Sequence, residues 1–594
     1  MKKHIAALMI TGAGLFASCS GFLDRQPLAD IAPDQFFNSE KELEIYTNSF
    51  YSAFPSAEGV YNEDIDNVVK NSLSDLIIGR RTVPVTGGNW TWTELRKINY
   101  FLSNYNRTLP EATAAKHAAV AKFFRAYFYF DKVVRFGDVP WINEVIAQLD
   151  TAGLKRARDP RKLVMDSVLK DIDYAIANLP ANVDPSKVTK WTALALKSRL
   201  CLFEGTYRKY HHAQIDSAGA AHFLKECVSA SEALMAGPYS IYRTSPEKSY
   251  LELFASQTPI PQEIILARSF SNDLQIWHNL NYYTITSSYG KPGLDKQLVN
   301  SYLMNDGTPF TDIPGYDTIT FYNETRNRDP RLSQTVRTPG YTRIGSTNIL
   351  PPDFGATVTG YQLIKYVTDQ TSDSYNRSTN SMPIFRYAEV LLNFAEAKAE
   401  LGDIPGSQAN LTQADLDRSI QLLRERVGMP GMSLSAANTT PDPYMAQQYP
   451  KVTAAHKNRG VLLEIRRERR IELVMESFRW NDLLRWMEGP AMKRPFKGMY
   501  FPGPGMYDLD QNGSFDLAIY EGTKPANPVP GVAYYKLGSE IVLENDAAGG
   551  NVVINRSTVK NFDEEKDYLQ PIPIRERQLN PKLSQNPKWD DGIK

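Results

Sequence analysis

The feature that most constrains the fold is one long apolar segment, residues 114–136. Its large side chains, among them Phe123, Phe124 and Tyr127, lie too close together to occupy a single helical face. A helix that is apolar nearly all round is stable only when other helices surround it. This segment therefore predicts a buried helix and requires several further helices to cover it.

Apolar residues recur at helical spacing in other segments on both sides of this one. These segments are residues 43–51, 163–179, 192–207, 220–235, 383–401 and 416–427. Most of them form pairs with short connections, which is typical of tetratricopeptide-like helical hairpins, although the pairs are irregular. The spacing predicts a mainly α fold of stacked hairpins.

Two long segments have a different composition. Between residues 237 and 380, Pro, Gly, Asn, Asp, Ser and Thr dominate, and short apolar runs at 263–267 and 361–367 predict strands. Loops of this length are usually functional or disordered, and the many aromatic residues argue against disorder. We therefore divide the chain into a helical region (41–236), a loop-rich insertion expected to form the ligand face (237–380), a second helical region (381–487), and a loop-rich insertion with the C-terminal tail (488–594).

The N-terminus has the pattern of a secretion signal. Lys2 and Lys3 precede an apolar run over residues 5–16, which is shorter than the roughly 20 residues that span a bilayer. Small residues directly before Cys19 resemble a bacterial lipobox, in which that cysteine carries the lipid. The pattern predicts a signal peptide over residues 1–18 and a lipidated, extended lead-in over residues 19–40. A plain signal peptide with an incidental cysteine is the alternative.

Charge and cysteine content exclude several classes of protein. Lys and Arg number 67, as do Asp and Glu, so the chain lacks the net basic charge that general nucleic-acid binding requires. Three cysteines are too few for a disulfide scaffold or a Cys₄ zinc site. Cys201 and Cys227 lie in helical patterns, and we expect them to be buried free thiols rather than a bridge.

The sequence contains no familiar catalytic motif. It has no HExxH zinc helix and no GxSxG serine elbow, and the P-loop spacing of Gly355 and Gly360 is followed by Tyr361 instead of lysine. These absences favour a binding protein, and we predict that the protein is not an enzyme. A glycosidase stays open as an alternative, because its two carboxylates need no sequence motif.

One segment predicts a calcium site. Residues 508–516 read D-x-D-x-N-G-x-x-D, which places oxygen side chains at alternate positions and glycine where a sharp turn is needed. The candidate ligands are Asp508, Asp510, Asn512 and Asp516. The twelfth position, where an EF-hand has glutamate, is Ile519, and Glu521 is the nearest substitute. The cofactor prediction is a structural Ca²⁺; the alternative is an Asx-rich turn without metal.

Several segments, in order along the chain, resemble one protein family. They are residues 21–24 (GFLD) with Pro27, 36–37 (FF), 124–129 (FRAYFY), 135–140 (RFGDVP), 386–392 (RYAEVLL), 465–470 (IRRERR) and 568–573 (YLQPIP). Together they resemble the SusD/RagB family of nutrient-binding outer-membrane lipoproteins. The resemblance implies about four tetratricopeptide-like units and a loop-rich binding face. It also implies a surface-exposed place on the outer membrane and a SusC-like TonB-dependent transporter as partner.

The matching residues are mostly expected to be structural. Glu389 and Glu396 share one helix face, and we expect them to pair with neighbouring charges rather than to act as an acid and a base. Arg469 is predicted to reach Glu472 at i+3, a pair contributing about 0.2–0.5 kcal/mol when exposed. The extended backbone of residues 571–573 is expected to pack the C-terminal tail across the helices.

A sugar ligand would need flat aromatic surfaces beside amide, carboxylate or guanidinium groups. Two loop-rich stretches supply that mixture, residues 71–92 and 272–289. The candidate ligand-binding residues are Asp75, Arg81 and Trp90 in the first stretch, and Trp277, Tyr282, Tyr283 and Tyr289 in the second. The alternative for Trp277 and Tyr283 is packing of the insertion, and Trp92 is as suited to the core as to a ligand.

Three functions follow as hypotheses. The favoured one is a cell-surface, lipid-anchored protein that captures oligosaccharide without catalysis and delivers it to a TonB-dependent transporter. The others are a lipid-anchored glycoside hydrolase and a helical-repeat protein that binds peptide cargo.

Overall fold

The computed structural model describes residues 36–106, 109–211, 216–407 and 409–593. The predicted signal peptide, the lipidation residue Cys19 and most of the lead-in lie outside the described residues. The helices of the first half are α1 Glu40–Asn48, α2 Ala57–Tyr61, α3 Asp75–Ile78, α4 Thr93–Leu102, α5 Glu111–Phe136, α6 Thr151–Leu154, α7 Arg161–Asn178, α8 Lys190–His211, α9 Ser217–Met235, α10 Ser249–Ala255 and α11 Leu280–Ile285. Those of the second half are α12 Lys296–Ser301, α13 Phe321–Glu324, α14 Tyr387–Leu401, α15 Gln413–Asp417, α16 Ile420–Arg426, α17 Leu434–Thr439, α18 Pro443–Gln448, α19 Arg459–Glu472, α20 Arg479–Arg485 and α21 Ile574–Leu579.

Strands are short and lie in four small sheets among the described residues. They are β1 Val68–Val69, β2 Ile264–Arg268, β3 Gly293–Leu294, β4 Met382–Arg386, β5 Phe496–Phe501, β6 Gly505–Tyr507, β7 Leu517–Tyr520, β8 Ala533–Lys536 and β9 Gly550–Ile554. The pairs β1–β3, β2–β4 and β5–β9 are antiparallel, and β7 pairs antiparallel with β6 and parallel with β8. Helices therefore dominate, and the predicted mainly α fold is confirmed.

Helix α5 is the buried helix that the sequence predicts. It packs against α1, α4 and α7, and the ring of Phe124 lies within 6 Å of the rings of Phe50, Tyr51 and Phe54. The helix ends where Gly137 takes a φ of 73°, a conformation that glycine adopts without steric cost. Its apolar residues are thus covered on more than one side, as their density requires.

The next layers are helical pairs. Helices α8 and α9 pack closely, since a Cβ added at Gly205 of α8 would lie 2.7 Å from Cγ of Leu224 on α9. Helix α14 lies against α8, α9 and α19. Cys201 and Cys227 are buried free thiols within these layers, as predicted. In the part of the chain that the structure describes, every helix is too short or too polar to serve as a transmembrane segment.

A buried ionic cluster joins the ends of three elements. Glu472 at the end of α19 accepts from Arg386 at the end of β4 (2.7 Å) and from Arg426 at the end of α16 (2.5 Å). The members of this ionic cluster are Glu263, Asp329, Arg331, Lys365, Arg386, Arg426, Glu468, Glu472 and Glu476, all less than a tenth exposed. These guanidinium groups hold the pKa of Glu472 well below its usual range.

The cluster corrects one sequence prediction. Arg469 does not pair with Glu472; it binds Asp482 of α20 at 2.8 Å. A buried charge requires a partner with good geometry. For Arg469 that partner is Asp482 of α20, and not Glu472 on the next turn of its own helix. The structural interpretation of Glu389 and Glu396 is confirmed, since they pair with Arg199 and Arg485 at 2.7 and 2.5 Å.

Candidate functional site

Four tyrosines gather at α11 and the loop over residues 369–377. Tyr283 and Tyr289 stack with ring centroids 4.5 Å apart and ring planes 18° apart. Tyr282 lies 6.1 Å from Tyr283 and 5.8 Å from Tyr375, whose side chain is 59% exposed. We call Tyr282, Tyr283, Tyr289 and Tyr375 the tyrosine cluster. The structure thus brings together three of the four aromatic residues predicted in the second stretch.

The tyrosine cluster rests on buried residues near the N-terminus. Tyr61 lies 5.8 Å from Tyr289, and its hydroxyl hydrogen-bonds Thr284 of α11 at 2.6 Å. Nζ of Lys70 lies 4.1 Å over the ring of Tyr289, a cation–π geometry, and donates to Asn62 at 2.6 Å. Burial raises the pKa of Tyr289 and lowers that of Lys70. The stacked rings are therefore held in place from below.

Polar side chains fix α11 against the following loop. Asn281 donates to Asp373 at 2.8 Å and accepts from the backbone N–H of Thr368 at 2.9 Å. His278 is buried, accepts at Nδ1 from the N–H of Leu280, and bonds the Asn380 carbonyl through Nε2 (3.0 Å). The imidazole is therefore neutral, and burial lowers its pKa. This framework fixes the loop that carries Tyr375.

Trp277 lies in a cleft beside the tyrosine cluster. The cleft has a volume of about 810 Å³. The residues that line it are Gln257, Asn272, Gln275, Trp277, Thr371, Ser372, Arg377 and Thr379. Trp277 of the cleft directly precedes α11, which carries Tyr282 of the tyrosine cluster. Arg377 of the cleft and Tyr375 of the tyrosine cluster lie on the same loop. The cleft therefore adjoins the tyrosine cluster. We call this second surface the Trp277 cleft.

In the first predicted ligand-binding stretch, residues 71–92, the structure engages Trp90 and Arg81 in contacts within the protein. Trp90 is only 5% exposed and packs edge-on against Phe136 at 4.8 Å and Trp92 at 5.2 Å, so its ring belongs to the core. Arg81 donates to Asp567 of the C-terminal tail at 2.8 Å. The reason is that the C-terminal tail packs on residues 75–90 and forms hydrogen bonds with their polar groups.

Further residues of the first stretch contact the C-terminal tail or the core. Asn89 donates to Gln570 at 3.2 Å, and the carbonyl of Pro84 accepts from the N–H of Ile574. Asp75 is exposed at the first position of α3, within the same residues 75–90. Half-buried Trp92 packs against Phe128, which fits the core alternative. Only the start of the stretch reaches the tyrosine cluster, where the N–H of Asn71 bonds the carbonyl of Gly290, next to Tyr289, at 2.9 Å.

Sequence reasoning missed Tyr375, Arg377 and Gln257. Residues 373–377 read D-S-Y-N-R, the same mixture of aromatic, amide and charged residues that marked the stretch 272–289. That signal was available, although its proximity to α11 depends on long-range contacts such as the bridge between His278 and Ser378.

The predicted metal loop lies between β6 and β7. Oxygen atoms of Asp508, Asp510 and Asp516 all lie within 4.8 Å of one another. The amide N–H of Asn512 bonds Asp508 and Asp510 at 3.1 Å, and Gly513 has a φ of 89°. Partial burial raises the pKa of Asp516, and the two neighbouring carboxylates add to that effect. A hard cation fits these three carboxylates, because it would offset their mutual repulsion.

Comparison with known proteins identifies the family to which the chain belongs. Residues 262–589, more than half of the chain, match the model of the SusD family. Residues 21–202 match a model described as starch-binding associating with outer membrane. The chain therefore belongs to the SusD family, as the motifs indicated.

Individual relatives are distant. SusD-like protein P38 of Formosa agariphila is 23% identical over 84% of this chain and 95% of that protein. SusD-like protein P25 of the same organism is 23% identical over 43% of this chain, and the match spans half of that protein. A solved SusD-like carbohydrate binding protein from Bacteroides fragilis is 22% identical, with a TM-score of 0.67, covering 92% of this chain and all of that one. The structural likeness establishes the fold.

Proposed function

We propose that this protein captures an oligosaccharide on the face formed by the tyrosine cluster and the Trp277 cleft. The observation that carries the proposal is a group of four tyrosines, two of them stacked, beside a cleft lined by amides, hydroxyls and a guanidinium. A pyranose ring offers C–H bonds on its faces and hydroxyls at its edge. Aromatic rings would bind the faces, and the polar groups of the cleft would bind the edge.

The relatives support a carbohydrate ligand. One matching family model is described as starch-binding, and the B. fragilis structure is named a carbohydrate binding protein. The proposal for this chain rests on the aromatic and polar chemistry of its own face.

We further propose capture without catalysis, followed by transfer to a SusC-like TonB-dependent transporter. The nearby Asp373 is engaged by Asn281 and by Arg343 at 2.7 Å, so it is held as a structural ligand of the loop. The outer-membrane association named for the matching family agrees with a lipid anchor at Cys19 and exposure at the cell surface.

A calorimetric titration of the mature protein against a panel of oligosaccharides tests the proposal. The expected result is micromolar-to-millimolar binding to one glycan class, with the sugar recovered unchanged by chromatography. Release of shorter products would support the glycoside hydrolase instead. Binding of peptides but of no sugar would support the peptide-cargo alternative.

We also propose that Asp508, Asp510 and Asp516, with Asn512, bind a structural Ca²⁺. The support is the convergence of the oxygen atoms of the three aspartates in a loop of the spacing that calcium sites use. Bound there, the ion would stiffen the connection between β6 and β7 and take no part in sugar binding.

A further inference from the structure

We propose that the Trp277 cleft selects an acidic saccharide, one that carries a carboxylate or sulfate group. The inference rests on the proposed function and deepens it, because it names the chemical class of the sugar. It depends on the charge of the cleft lining and on the hydrogen-bonding capacity that the protein itself leaves unused.

The first observation is an unpaired cation. Arg377 is exposed, lines the cleft, and makes no ion pair or hydrogen bond with any residue in the described part of the chain. In the groove beside α5, by contrast, the guanidinium groups are engaged, Arg135 with Asp131 at 2.9 Å and Arg199 with Glu389 at 2.7 Å. The planar fork of Arg377 therefore remains available to bind an anion with two parallel bonds.

The second observation is that no carboxylate lines the cleft among the residues the structure describes. The nearest acids on the same loop are engaged. Asp369 accepts from the hydroxyl and the N–H of Thr371, and Asp373 binds Arg343. Asp273, next to Asn272 in sequence, is exposed and lies outside the lining. Within the lining an anionic ligand would therefore meet the free guanidinium of Arg377 and no carboxylate.

The third observation concerns the amides. Indole N–H groups only donate, so the bond from Trp277 Nε1 to Asn272 at 2.8 Å occupies the amide oxygen of Asn272. The amide oxygen of Gln257 likewise accepts from the hydroxyl of Thr379. The NH₂ groups of both amides make no hydrogen bond to the described residues and remain free to donate. Two amide donors and a guanidinium around one indole ring match a ligand that offers several acceptor oxygens, as a carboxylate or sulfate does.

The test uses matched pairs of oligosaccharides that differ only in charge. Oligogalacturonides are compared with their methyl-esterified forms, and sulfated carrageenan oligosaccharides with their desulfated forms, by titration calorimetry. The expected result is that an acidic member binds at least about ten-fold more tightly than its neutral counterpart, the size of effect that one charge-assisted hydrogen-bond pair gives. Raising the salt concentration should weaken the acidic ligand and not the neutral one.

Two variants assign the effect to the cleft. Arg377→Gln should reduce the preference for the acidic member to less than about three-fold, and Arg377→Lys should restore part of it. Arg326→Gln, which removes an exposed arginine outside the cleft, is the charge-matched control and should leave the preference unchanged.

The inference is overturned if the neutral member binds as tightly as the acidic one, or if Arg377→Gln leaves the preference intact. Neutral binding that is lost in Trp277→Ala would overturn the acidic selectivity while the proposed capture function stands. If no member of any pair binds while a neutral sugar of the wider oligosaccharide panel does, the acidic selectivity alone is overturned. If no sugar of that panel binds either, the proposed function is contradicted as well.

Discussion

At the scale of single residues, burial separates structural aromatics from ligand candidates. Trp90 and Trp277 look equivalent in the sequence, since each lies in a polar, aromatic loop. The fold buries Trp90 against α5, whereas Trp277 remains half-buried at the wall of a cleft. Substitution of the two residues should therefore change different properties.

Trp90→Ala should lower the free energy of unfolding by about 3–5 kcal/mol, as expected when a large buried aromatic side chain is removed. Trp277→Ala should change stability by less than about 1 kcal/mol and weaken sugar binding by about 5–30-fold, through loss of ring contact. Urea denaturation and titration calorimetry on both variants measure the two quantities. A Trp90→Ala variant of unchanged stability would show that its ring lies outside the core.

His278, beside α11, makes the stability of the protein depend on pH. Its pKa is lowered mainly by burial, against the opposing effects of Asn380 and Glu58, so the native state holds it neutral. The unfolded chain binds a proton below about pH 6.5, and the native chain does so only at lower pH. Stability from this residue is therefore complete above pH 6.5 and is lost as the pH falls toward the lowered pKa.

The prediction is a fall in melting temperature between about pH 6.5 and 5 that is smaller in His278→Gln, which cannot titrate. Differential scanning calorimetry across this range measures it. Because His117 and His456 also have lowered pKa values, the comparison uses the difference between the two proteins at each pH. Parallel curves for the two proteins would contradict the assignment to His278.

At the scale of elements, apolar periodicity predicted individual helices and strands, but it did not predict contacts between elements that are distant in sequence. The apolar pattern predicted α5 and the strand β2 near residues 263–267, and both are confirmed. Residues 361–367, predicted as a strand, contribute only isolated bridges at Gln362 and Leu363. The ionic cluster was not predictable from spacing, because its partners lie on elements that are distant in sequence.

Glu472→Ala should destabilise the protein by about 3–5 kcal/mol, because it removes the nearer of the two carboxylates that buried Arg386 and Arg426 share, Glu263 being the other. Glu44→Ala is the matched control. It removes a carboxylate whose bond to Lys187 is half exposed, and such pairs contribute about 0–1 kcal/mol. Equal effects of the two substitutions on chemical denaturation would show that the ionic cluster does not stabilise the helical layers.

The loop between β6 and β7 should bind calcium. Added Ca²⁺ is expected to raise the melting temperature of the wild type, and the increase should disappear in Asp508→Asn together with Asp510→Asn. Mg²⁺ at the same concentration serves as the control ion. If Ca²⁺ raises the melting temperature of both proteins equally, the ion binds elsewhere.

At the scale of the whole molecule, the sequence predicted the helical architecture and the family, but only half of the candidate site. The stretch 272–289 forms most of the candidate site, since its residues lie on one short helix and its flanks. Residues 75–90 of the first stretch instead contact a C-terminal tail nearly 500 residues away in sequence, with Arg81 bound to Asp567 (separation 486). Composition alone carries no information about such a partner.

The central claim is that sugar is captured on the tyrosine cluster and in the Trp277 cleft, without bond cleavage. The most direct measurement is calorimetric titration of the bound glycan with wild type, the double variant Trp277→Ala and Tyr283→Ala, and Phe515→Ala. The control residue Phe515 is an exposed aromatic on the metal loop. We predict at least about a ten-fold loss of affinity in the double variant, less than about two-fold in the control, and unchanged sugar after incubation. Retained affinity in a folded double variant, or release of cleaved sugar by the wild type, would contradict the account.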